Sequence, residues 1–289
     1  MTCFVQLKNV SKIYNKGQAN ECIALNNINL EINKGDYITV WGTNGAGKTS
    51  LLDTLSKGGI TDGYVFLNGV DITKMQEHKR ARFVGRITQN PFEILAESLT
   101  LEENLALAFH RDKAYTLRKG ITRNFKEMIK HRLSDLKLGL EKRLGENVYN
   151  LSGGERQAIT ILMATLSAPK LLLLDEHTAA LDLEKTKLIE NLTDSVVLQN
   201  GITTLWVTHK KEQAARFGNR ILFLKKGKIV KDLSMQDKHN ISEKNMIDIL
   251  ERFQLDTVPS EDTSNAAVAP PLTYTINNTK IGNISSNIK

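Results

Sequence analysis

The chain has 289 residues, 40% of them hydrophobic, and a formal net charge of +7 at pH 7. This apolar content is sufficient for a substantial core, but no apolar run approaches the roughly 20 residues of a membrane-spanning helix, which excludes a pore-forming subunit. Met1–Val5 lacks the basic start and apolar segment of a secretory signal, so we expect a cytoplasmic protein. The two cysteines, Cys3 and Cys22, form no disulfide or metal framework, and we expect small packed thiols.

The amino-terminal part is predicted to be rich in β-strands. It extends from Cys3 to about Trp41, and the segment Gly63–Gly69 beside it has a hairpin-like pattern. The apolar run Tyr37–Trp41 is typical of a buried strand.

A glycine-rich loop directly after this strand fits the pattern Gly-x4-Gly-Lys-Ser/Thr. It comprises Gly42, Thr43, Asn44, Gly45, Ala46, Gly47, Lys48 and Thr49, followed by Ser50. Glycines allow a tight turn whose N–H groups point at phosphate oxygens, and the helix predicted from Lys48 to Leu55 adds a favourable dipole. Lys48 would bind the β- and γ-phosphates and Thr49 a Mg²⁺ ion. The alternative is a glycine-rich structural turn.

Two adjacent carboxylates follow a second buried strand. Leu171–Leu174 is a continuous apolar run, as expected for a strand of a parallel sheet, and it ends in Asp175 and Glu176. Asp175 is predicted to hold Mg²⁺, and Glu176 to orient or deprotonate an attacking water. The alternative is that these two acids cap the following helix.

The remaining elements predict a mainly parallel sheet. Helices predominate from about Leu99 to Ser167. Strands and helices then alternate, in the order Leu171–Asp175, Glu184–Gln199, Thr203–Thr208, Lys210–Phe217, Ile221–Lys225 and a closing helix at Ile241–Phe253. After about Asp256 the composition shifts to Ser, Thr, Asn, Ala and Pro, which predicts a flexible tail over residues 256–289.

The run Leu151-Ser152-Gly153-Gly154-Glu155, together with the two motifs above, resembles the ATP-binding subunits of ABC (ATP-binding cassette) transporters. The resemblance implies an α/β fold, a P-loop NTPase of ABC type, with a mainly parallel sheet core, an antiparallel β subdomain and an inserted helical subdomain. We expect this nucleotide-binding domain at residues 1–255 and its helical subdomain at about 90–168. Ser152, Gly153 and Gly154 would form a second phosphate-binding nest at the start of a helix, closing over ATP held by a partner copy.

Four further positions match the family pattern one by one. Tyr14 matches the aromatic that stacks on adenine, although an ordinary tyrosine at a strand end is the alternative. Gln89 follows the predicted strand Phe83–Thr88 and matches a glutamine that contacts the metal and the water and links the site to the membrane partner. Asp182 matches a loop that communicates across the dimer. His209 matches the histidine that contacts the γ-phosphate and the catalytic carboxylate.

The chain departs from the family pattern after Glu176. His177 stands where a proline is usual, and Ala179 where a serine is usual. His177 permits more backbone freedom, and it is either a proton relay or a tolerated loop substitution. The signature continues with Glu155-Arg156-Gln157-Ala158, which changes the charge beside the nest without removing Ser152 or the glycines.

Positive charge is concentrated between Arg111 and Arg143, a segment that contains 11 Lys/Arg and only 4 Asp/Glu. This basic segment would lie near anionic lipid headgroups or acidic permease loops, or else form a solvated helix face without a partner. Nucleic acid is not expected as a partner, because the chain has no basic motif interleaved with aromatic residues. ABC ATPases of DNA repair and chromosome packing also separate their two halves by very long coiled coils, whereas Gln89 and Leu151 are close in this sequence.

The resemblance implies an ATPase that uses ATP and Mg²⁺ and closes as a head-to-tail dimer with a second copy of itself. It would drive integral membrane permease subunits from the inner face of the cell membrane. Met163–Leu166 and Asn104–Ala108 resemble a branch of bacterial importers for amino-acid-like solutes delivered by a solute-binding protein. The alternative is an ABC ATPase that acts as a regulatory or remodelling switch without transport.

Overall fold

The computed structural model describes residues 3–111, 119–255, 274–276 and 279–281. The strands are β1 (Cys3–Tyr14), β2 (Cys22–Asn33), β3 (Tyr37–Trp41), β4 (Asp62–Leu67), β5 (Val70–Asp71), β6 (Val84–Ile87), β7 (Leu171–Asp175), β8 (Thr203–Thr208), β9 (Arg220–Lys225), β10 (Lys228–Leu233), β11 (Tyr274–Ile276) and β12 (Thr279–Ile281). The helices are α1 (Lys48–Ser56), α2 (Glu77–Arg80), α3 (Leu101–His110), α4 (Arg123–Ser134), α5 (Gly153–Thr165), α6 (Leu183–Asn200), α7 (Lys211–Arg216), α8 (Met235–His239) and α9 (Glu243–Leu255).

A six-stranded sheet forms the centre of the fold, with the strand order β10-β9-β3-β8-β7-β6. Its neighbours pair in parallel, except for β10, which is antiparallel to β9. Because β3, β6, β7 and β8 are parallel, their carboxyl ends meet at one edge of the sheet. The glycine-rich loop, Gln89, Glu176 and His209 follow these strands and Asp175 ends β7, so the topology collects them at that edge.

A second sheet, antiparallel and ordered β2-β1-β4-β5, covers one side of the molecule. The predicted hairpin is present as β4 and β5, with Leu67 opposite Val70. Its two-residue turn is Asn68-Gly69, and both residues have positive φ, 50° and 77°. Asparagine followed by glycine tolerates this geometry, which matches the twist of the two strands.

Alternate residues of the central strands enter two different cores. Leu171 and Leu173 pack with α1 and the antiparallel sheet. Leu172 and Leu174, which point the other way, pack with α5 and α6. Side chains alternate between the faces of a strand, so a strand covered on both faces needs apolar residues at every position. This explains why β7 is one continuous apolar run.

The segment between β6 and β7 is helical and has a core of its own. Leu105 from α3, Ile129 and Leu133 from α4, and Ile159 from α5 are buried together there. The predicted architecture, a mainly parallel sheet with an antiparallel β subdomain and an inserted helical subdomain, is therefore confirmed. The domain boundaries at 90–168 and 1–255 stay predictions.

Three features differ from or lie beyond the predictions. Cys3 and Cys22 are exposed rather than packed, because they lie at the open ends of β1 and β2. Strand β10 and helix α8 were not predicted, because they are short, at six and five residues, and rich in charged side chains. Of the tail predicted at 256–289, the structure describes only β11 and β12, which pair antiparallel. The rest of that tail lies outside the described residues.

Candidate functional site

The glycine-rich loop between β3 and α1 presents backbone N–H groups that have no protein acceptor. Within the described ranges, nothing accepts from the N–H groups of Gly45, Gly47, Lys48 or Thr49. Gly47, the N-cap of α1, has φ 101°, and a Cβ there would lie 2.4 Å from the carbonyl oxygen of Ala24. Only glycine fits such a position. Unpaired donors at the start of a helix are a binding site for an anion such as phosphate.

Lys48 lies under this loop, with 6% of its side chain exposed. Its Nζ donates to the carbonyl oxygens of Gly42 (2.8 Å) and Thr43 (3.1 Å), and lies 3.8 Å from Oε1 of Glu176. Burial lowers the pKa of Lys48, and the nearby carboxylates of Glu176 and Asp175 partly oppose this. The ammonium group is thus held at the mouth of the loop, where a phosphate can replace the two carbonyl oxygens as its partner.

Asp175, at the end of β7, joins three elements. Its Oδ1 accepts from Thr49 Oγ1 on α1 (3.3 Å), and its Oδ2 lies 3.1 Å from Arg86 Nη2 on β6. Arg86 also pairs with Asp53 on α1. Burial raises the pKa of Asp175, against the opposing effect of Arg86. Two of the three residues predicted to hold a metal, Thr49 and Asp175, are therefore adjacent and offer the oxygen ligands that Mg²⁺ prefers.

The Glu176 carboxylate pairs with both Lys48 and His209. Its Oε2 lies 3.0 Å from Nδ1 of His209, and its Oε1 faces Lys48. Its backbone has φ 46°, which is unusual for a residue with a side chain, and its N–H donates to the carbonyl oxygen of Val207 on β8 (3.1 Å). A cavity of about 300 Å³ opens here, lined by Trp41, Gly42, Thr43, Asn44, Glu176 and His209.

These contacts decide against one alternative for the acidic pair. Neither Asp175 nor Glu176 caps the next helix, since that role belongs to Asp182, whose Oδ1 accepts from the backbone N–H of Lys185 at the start of α6 (2.9 Å). The Lys185 ammonium, 2.7 Å from Asp182 Oδ2, and then the Lys185 backbone N–H hold the pKa of Asp182 below its usual value. Asp182 is thus a helix cap in the described chain, and its predicted role across a dimer stays a prediction.

The signature residues lie at the start of α5. Ser152 is the N-cap, and it forms a capping box with Glu155, in which each side chain accepts from the other residue's backbone N–H. Arg143 pairs with the Glu155 carboxylate. Burial raises the pKa of Glu155, but the bonds from Ser152 and Arg143 outweigh it and leave the pKa lowered. No described residue accepts from the N–H groups of Gly153 or Gly154.

Two predicted residues lie at the periphery of this arrangement. The Tyr14 hydroxyl is 3.4 Å from Ser50 Oγ on α1, and Lys12 Nζ is 5.2 Å from the Tyr14 ring centroid. Gln89 follows β6 and is exposed, without a side-chain hydrogen bond inside the part of the chain that the structure describes. The structure thus places Tyr14 beside the loop helix, and it leaves Gln89 near the edge of the sheet without a partner there.

His177 is buried, which neither sequence interpretation anticipated. It is 1% exposed, its ring lies 4.9 Å from that of Trp206, and its Nε2 is 3.1 Å from Thr193 Oγ1 on α6. Burial lowers the pKa of His177 to about 3, so the ring is neutral. A neutral ring inside the core does not fit a proton relay to the reacting water.

Sequence reasoning missed Arg86 and Gln213. A signal for Arg86 was present, because a cation inside a short buried strand needs a carboxylate partner. Gln213 on α7 is buried among Thr178, Glu190 and Thr208, and nothing in its sequence neighbourhood marks it.

A larger cleft, of about 1210 Å³, lies at the opposite edge of the sheet. It is lined by Lys34 and Lys170, which precede β3 and β7, by Thr203, which begins β8, and by residues of α6. None of the predicted site residues lines it. The smaller cavity is therefore the one that we associate with the motifs.

The described residues lack two features that would point to another kind of site. No described helix is long and apolar enough to cross a bilayer. Within the described ranges, no group of three or more His, Cys, Asp and Glu side chains has an arrangement that could hold a metal ion. In the basic segment, Lys126 pairs with Glu102 and Arg123 with Glu127.

Comparison with known proteins bears on these motifs. Residues 25–179 match the family model described as ABC transporter. The chain is 37% identical over 253 residues to a tyrosine transport ATP-binding protein of Clostridioides difficile, covering 86% of this chain and 98% of that one. It is 32% identical over 229 residues to the spermidine/putrescine import ATP-binding protein PotA of Haemophilus ducreyi, covering 79% of this chain but only 57% of the relative.

A solved structure has the same fold. The dimeric ATP-binding cassette MJ0796, in a post-hydrolysis state bound to ADP and Pi, superposes with a TM-score of 0.67 at 29% identity. The match covers 80% of this chain and 98% of that cassette.

Proposed function

Because the chain belongs to the ABC transporter family, whose ATP-binding subunits hydrolyse ATP to power transport, we propose that it drives import of a small solute through a separate permease. The observation that carries this proposal is the cluster of Lys48, Glu176 and His209 at the open start of α1. Lys48 supplies a cation that binds phosphate, Glu176 a carboxylate that accepts a proton from water, and His209 a ring that holds this carboxylate in place. The similar transport proteins favour import, and none of them supports the non-transport switch.

Each side chain has a distinct task in hydrolysis. The free N–H groups of Gly45, Gly47 and Thr49 bind phosphate oxygens, and the Lys48 ammonium balances their charge. Glu176 accepts a proton from the water that attacks the terminal phosphate. His209 holds this carboxylate through its Nδ1, 3.0 Å away. Such positioned proton transfer contributes roughly 10²- to 10⁴-fold to a rate.

Thr49 and Asp175 are the residues that fit Mg²⁺. Their oxygens, 3.3 Å apart, match a hard cation that takes few protein ligands and completes its shell with phosphate and water. When bound, Mg²⁺ would neutralise charge on the phosphate oxygens. We place Gln89 next to this pair, as an additional contact to the metal and the water. Tyr14, beside Ser50, would stack on adenine.

We propose that two copies of the chain close head to tail over ATP, with Ser152, Gly153 and Gly154 of one copy facing the phosphates bound by the other. The dimeric cassette MJ0796 supports this arrangement by its similar fold. The permease would hold the dimer at the inner face of the cell membrane, with the helical region toward it. The basic segment from Arg111 to Arg143 would contribute to that contact; part of it, residues 112–118, lies outside the described residues.

The solute is proposed to be amino-acid-like and to be delivered by a binding protein. Similarity to the tyrosine transport protein favours this class, whereas similarity to the spermidine/putrescine protein extends to polyamines. A membrane complex of this chain with its permease, tested for uptake of tyrosine and of spermidine, distinguishes the two classes. If the complex takes up neither tyrosine nor spermidine, both proposed solute classes are contradicted.

The replacement Glu176→Gln tests the chemistry. It preserves shape but removes the proton acceptor, so we expect steady-state ATP turnover to fall about 100-fold or more. We expect the variant to accumulate as an ATP-bound dimer, measured by light scattering after gel filtration. Glu243→Gln, the same change on an exposed part of α9, is the matched control and should keep full turnover. Unchanged hydrolysis by Glu176→Gln would contradict the assignment of the base.

A further inference from the structure

A single buried amide connects the two chain segments that carry Glu176 and His209. Gln213, on α7, is 6% exposed. Its Nε2 donates to Thr178 Oγ1 (2.9 Å) and to Glu190 Oε1 (2.7 Å), and its Oε1 accepts from the hydroxyl of Thr208. The amide therefore uses both of its ends within the protein.

The sequence positions of its partners make this arrangement informative. Thr178 lies two residues after Glu176, and Thr208 lies immediately before His209. Both threonines are buried, at 2% and 1% exposure. Gln213 thus bridges the loop that begins at the reacting carboxylate and the strand end that carries the histidine.

The chemistry of the partners fixes the orientation of the amide. The Glu190 carboxylate, 7% exposed, is an acceptor when ionised, so it takes the NH₂ end of Gln213. The C=O end is then left for the Thr208 hydroxyl. A flipped amide would place its oxygen against the carboxylate and leave buried polar groups without partners, which is costly inside a protein.

The backbone at Glu176 needs such support. Its φ of 46° lies in the left-handed region, which is populated by a non-glycine residue only where the surroundings hold it. The bond from its N–H to Val207 fixes the segment on one side. The Thr178–Gln213 bond fixes it two residues later, against the strand that also carries His209.

We propose that Gln213 is a positioning residue for hydrolysis, which sets the separation of Glu176 and His209 by tying Thr178 to Thr208. Its side chain bonds to Thr178, Glu190 and Thr208, so its proposed action on the reaction is indirect. The inference rests on the proposed roles of Glu176 and His209. Since a misplacement of about 1 Å in a reacting group can cost about 100-fold in rate, loss of this bridge lowers kcat.

The cleanest test is Thr178→Val, which keeps shape and burial but removes one hydroxyl of the bridge. We expect kcat to fall about tenfold, with KM for ATP changed less than twofold, because the phosphate loop is untouched. Thr160→Val is the matched control: Thr160 is also buried, on α5, and among the described residues its hydroxyl bonds only to Gln157 of its own helix. It should lower the melting temperature similarly and leave kcat within twofold.

An exchange of the two buried partners tests the amide itself. Gln213→Glu places two carboxylates where 2.7 Å now separates an amide from a carboxylate, so kcat should fall more than tenfold. The double variant with Glu190→Gln restores one amide and one carboxylate, and it should recover kcat to within about threefold of the parent. If Gln213 has a purely structural role, the folded Gln213→Glu variant should show no loss of kcat. The double variant should then restore only the melting temperature.

Two outcomes overturn the inference. One is a kcat in Thr178→Val within twofold of the parent, and the other is an equal loss of kcat in Thr160→Val. Glu176→Gln is assayed in parallel. If Glu176→Gln also keeps full turnover, the proposed base is wrong; if it is inactive while Thr178→Val is fully active, only the positioning role of Gln213 is wrong.

Discussion

The starts of α1 and α5 are both predicted to bind phosphate, but they are built differently. The N-cap of α1 is Gly47, so this helix has no side-chain cap, and its first turn has no acidic residue. The N-cap of α5 is Ser152, which forms a complete capping box with Glu155 in the first turn. A helix start with open N–H groups favours an anion, whereas a carboxylate in the first turn already satisfies part of that demand.

The difference indicates an order of binding. The start of α1 has the lysine and several free N–H groups, so we expect a single chain to bind ATP there. The start of α5 keeps only the Ser152 hydroxyl and the N–H groups of Gly153 and Gly154 for an external anion. These groups can add hydrogen bonds to a phosphate that a partner copy already binds, but alone they form a weak phosphate site. Three predictions test this comparison.

The largest effect is expected for Lys48→Met, which removes the cation from the α1 site but keeps the length of the side chain. Charged hydrogen bonds are worth about 1.5–3 kcal/mol, so ATP affinity should fall roughly 10- to 100-fold. Titration of the single chain with a fluorescent ATP analogue measures it. Lys57→Met, an exposed lysine at the other end of α1, is the control. Unchanged affinity in Lys48→Met would remove the distinction between the two helix starts.

A smaller effect is expected for Ser152→Ala, and only in the dimer. ATP affinity of the single chain should be unchanged, whereas the ATP-dependent dimer formed in the Glu176→Gln background should weaken about tenfold. This corresponds to about 1.4 kcal/mol for the dimer, or about 0.7 kcal/mol at each of its two sites. Dilution of the dimer followed by light scattering measures this.

Loss of an N-cap also destabilises a helix by about 1 kcal/mol, so this prediction needs a control. Thr100→Ala provides one, because Thr100 and Glu103 form the same capping box at the start of α3. Both variants should lower the melting temperature, but only Ser152→Ala should weaken the dimer. Equal weakening by Thr100→Ala would mean that the α5 start contributes stability rather than phosphate binding.

Much of this comparison could be predicted from the sequence, because it depends on local patterns. The apolar run before Gly42, the glycines and Lys48 are neighbours in the chain, and the strand ending in Asp175 has a composition that only a doubly covered strand needs. The burial of His177 could not be predicted, since it depends on Trp206 and Thr193, which tertiary packing brings to it. Gln213 was missed for the same reason, because its partners come from three other elements.

The last prediction concerns how stability depends on pH near the two helix starts. His177 is buried next to Glu176 with a pKa lowered to about 3, so the unfolded chain takes up a proton near pH 6.5 that the folded chain does not. Its contribution to stability is fully present above pH 6.5 and is lost progressively as the pH falls toward 3. At the α5 start, the lowered pKa of Glu155 gives a contribution lost only below the usual carboxyl range.

Acidification from pH 7.5 to 5.5 should therefore destabilise the fold through His177 and not through Glu155. His177→Gln keeps a donor for Thr193 but does not titrate, so the fall in unfolding free energy over this interval should be about 1.4 kcal/mol smaller than in the parent. Urea unfolding at the two pH values measures it, and the exposed His78→Gln is the control. An identical pH dependence in the parent and in His177→Gln would mean that the histidine becomes protonated within the fold. The core behind Glu176 would then open to water, and a proton relay through His177 would again be a valid hypothesis.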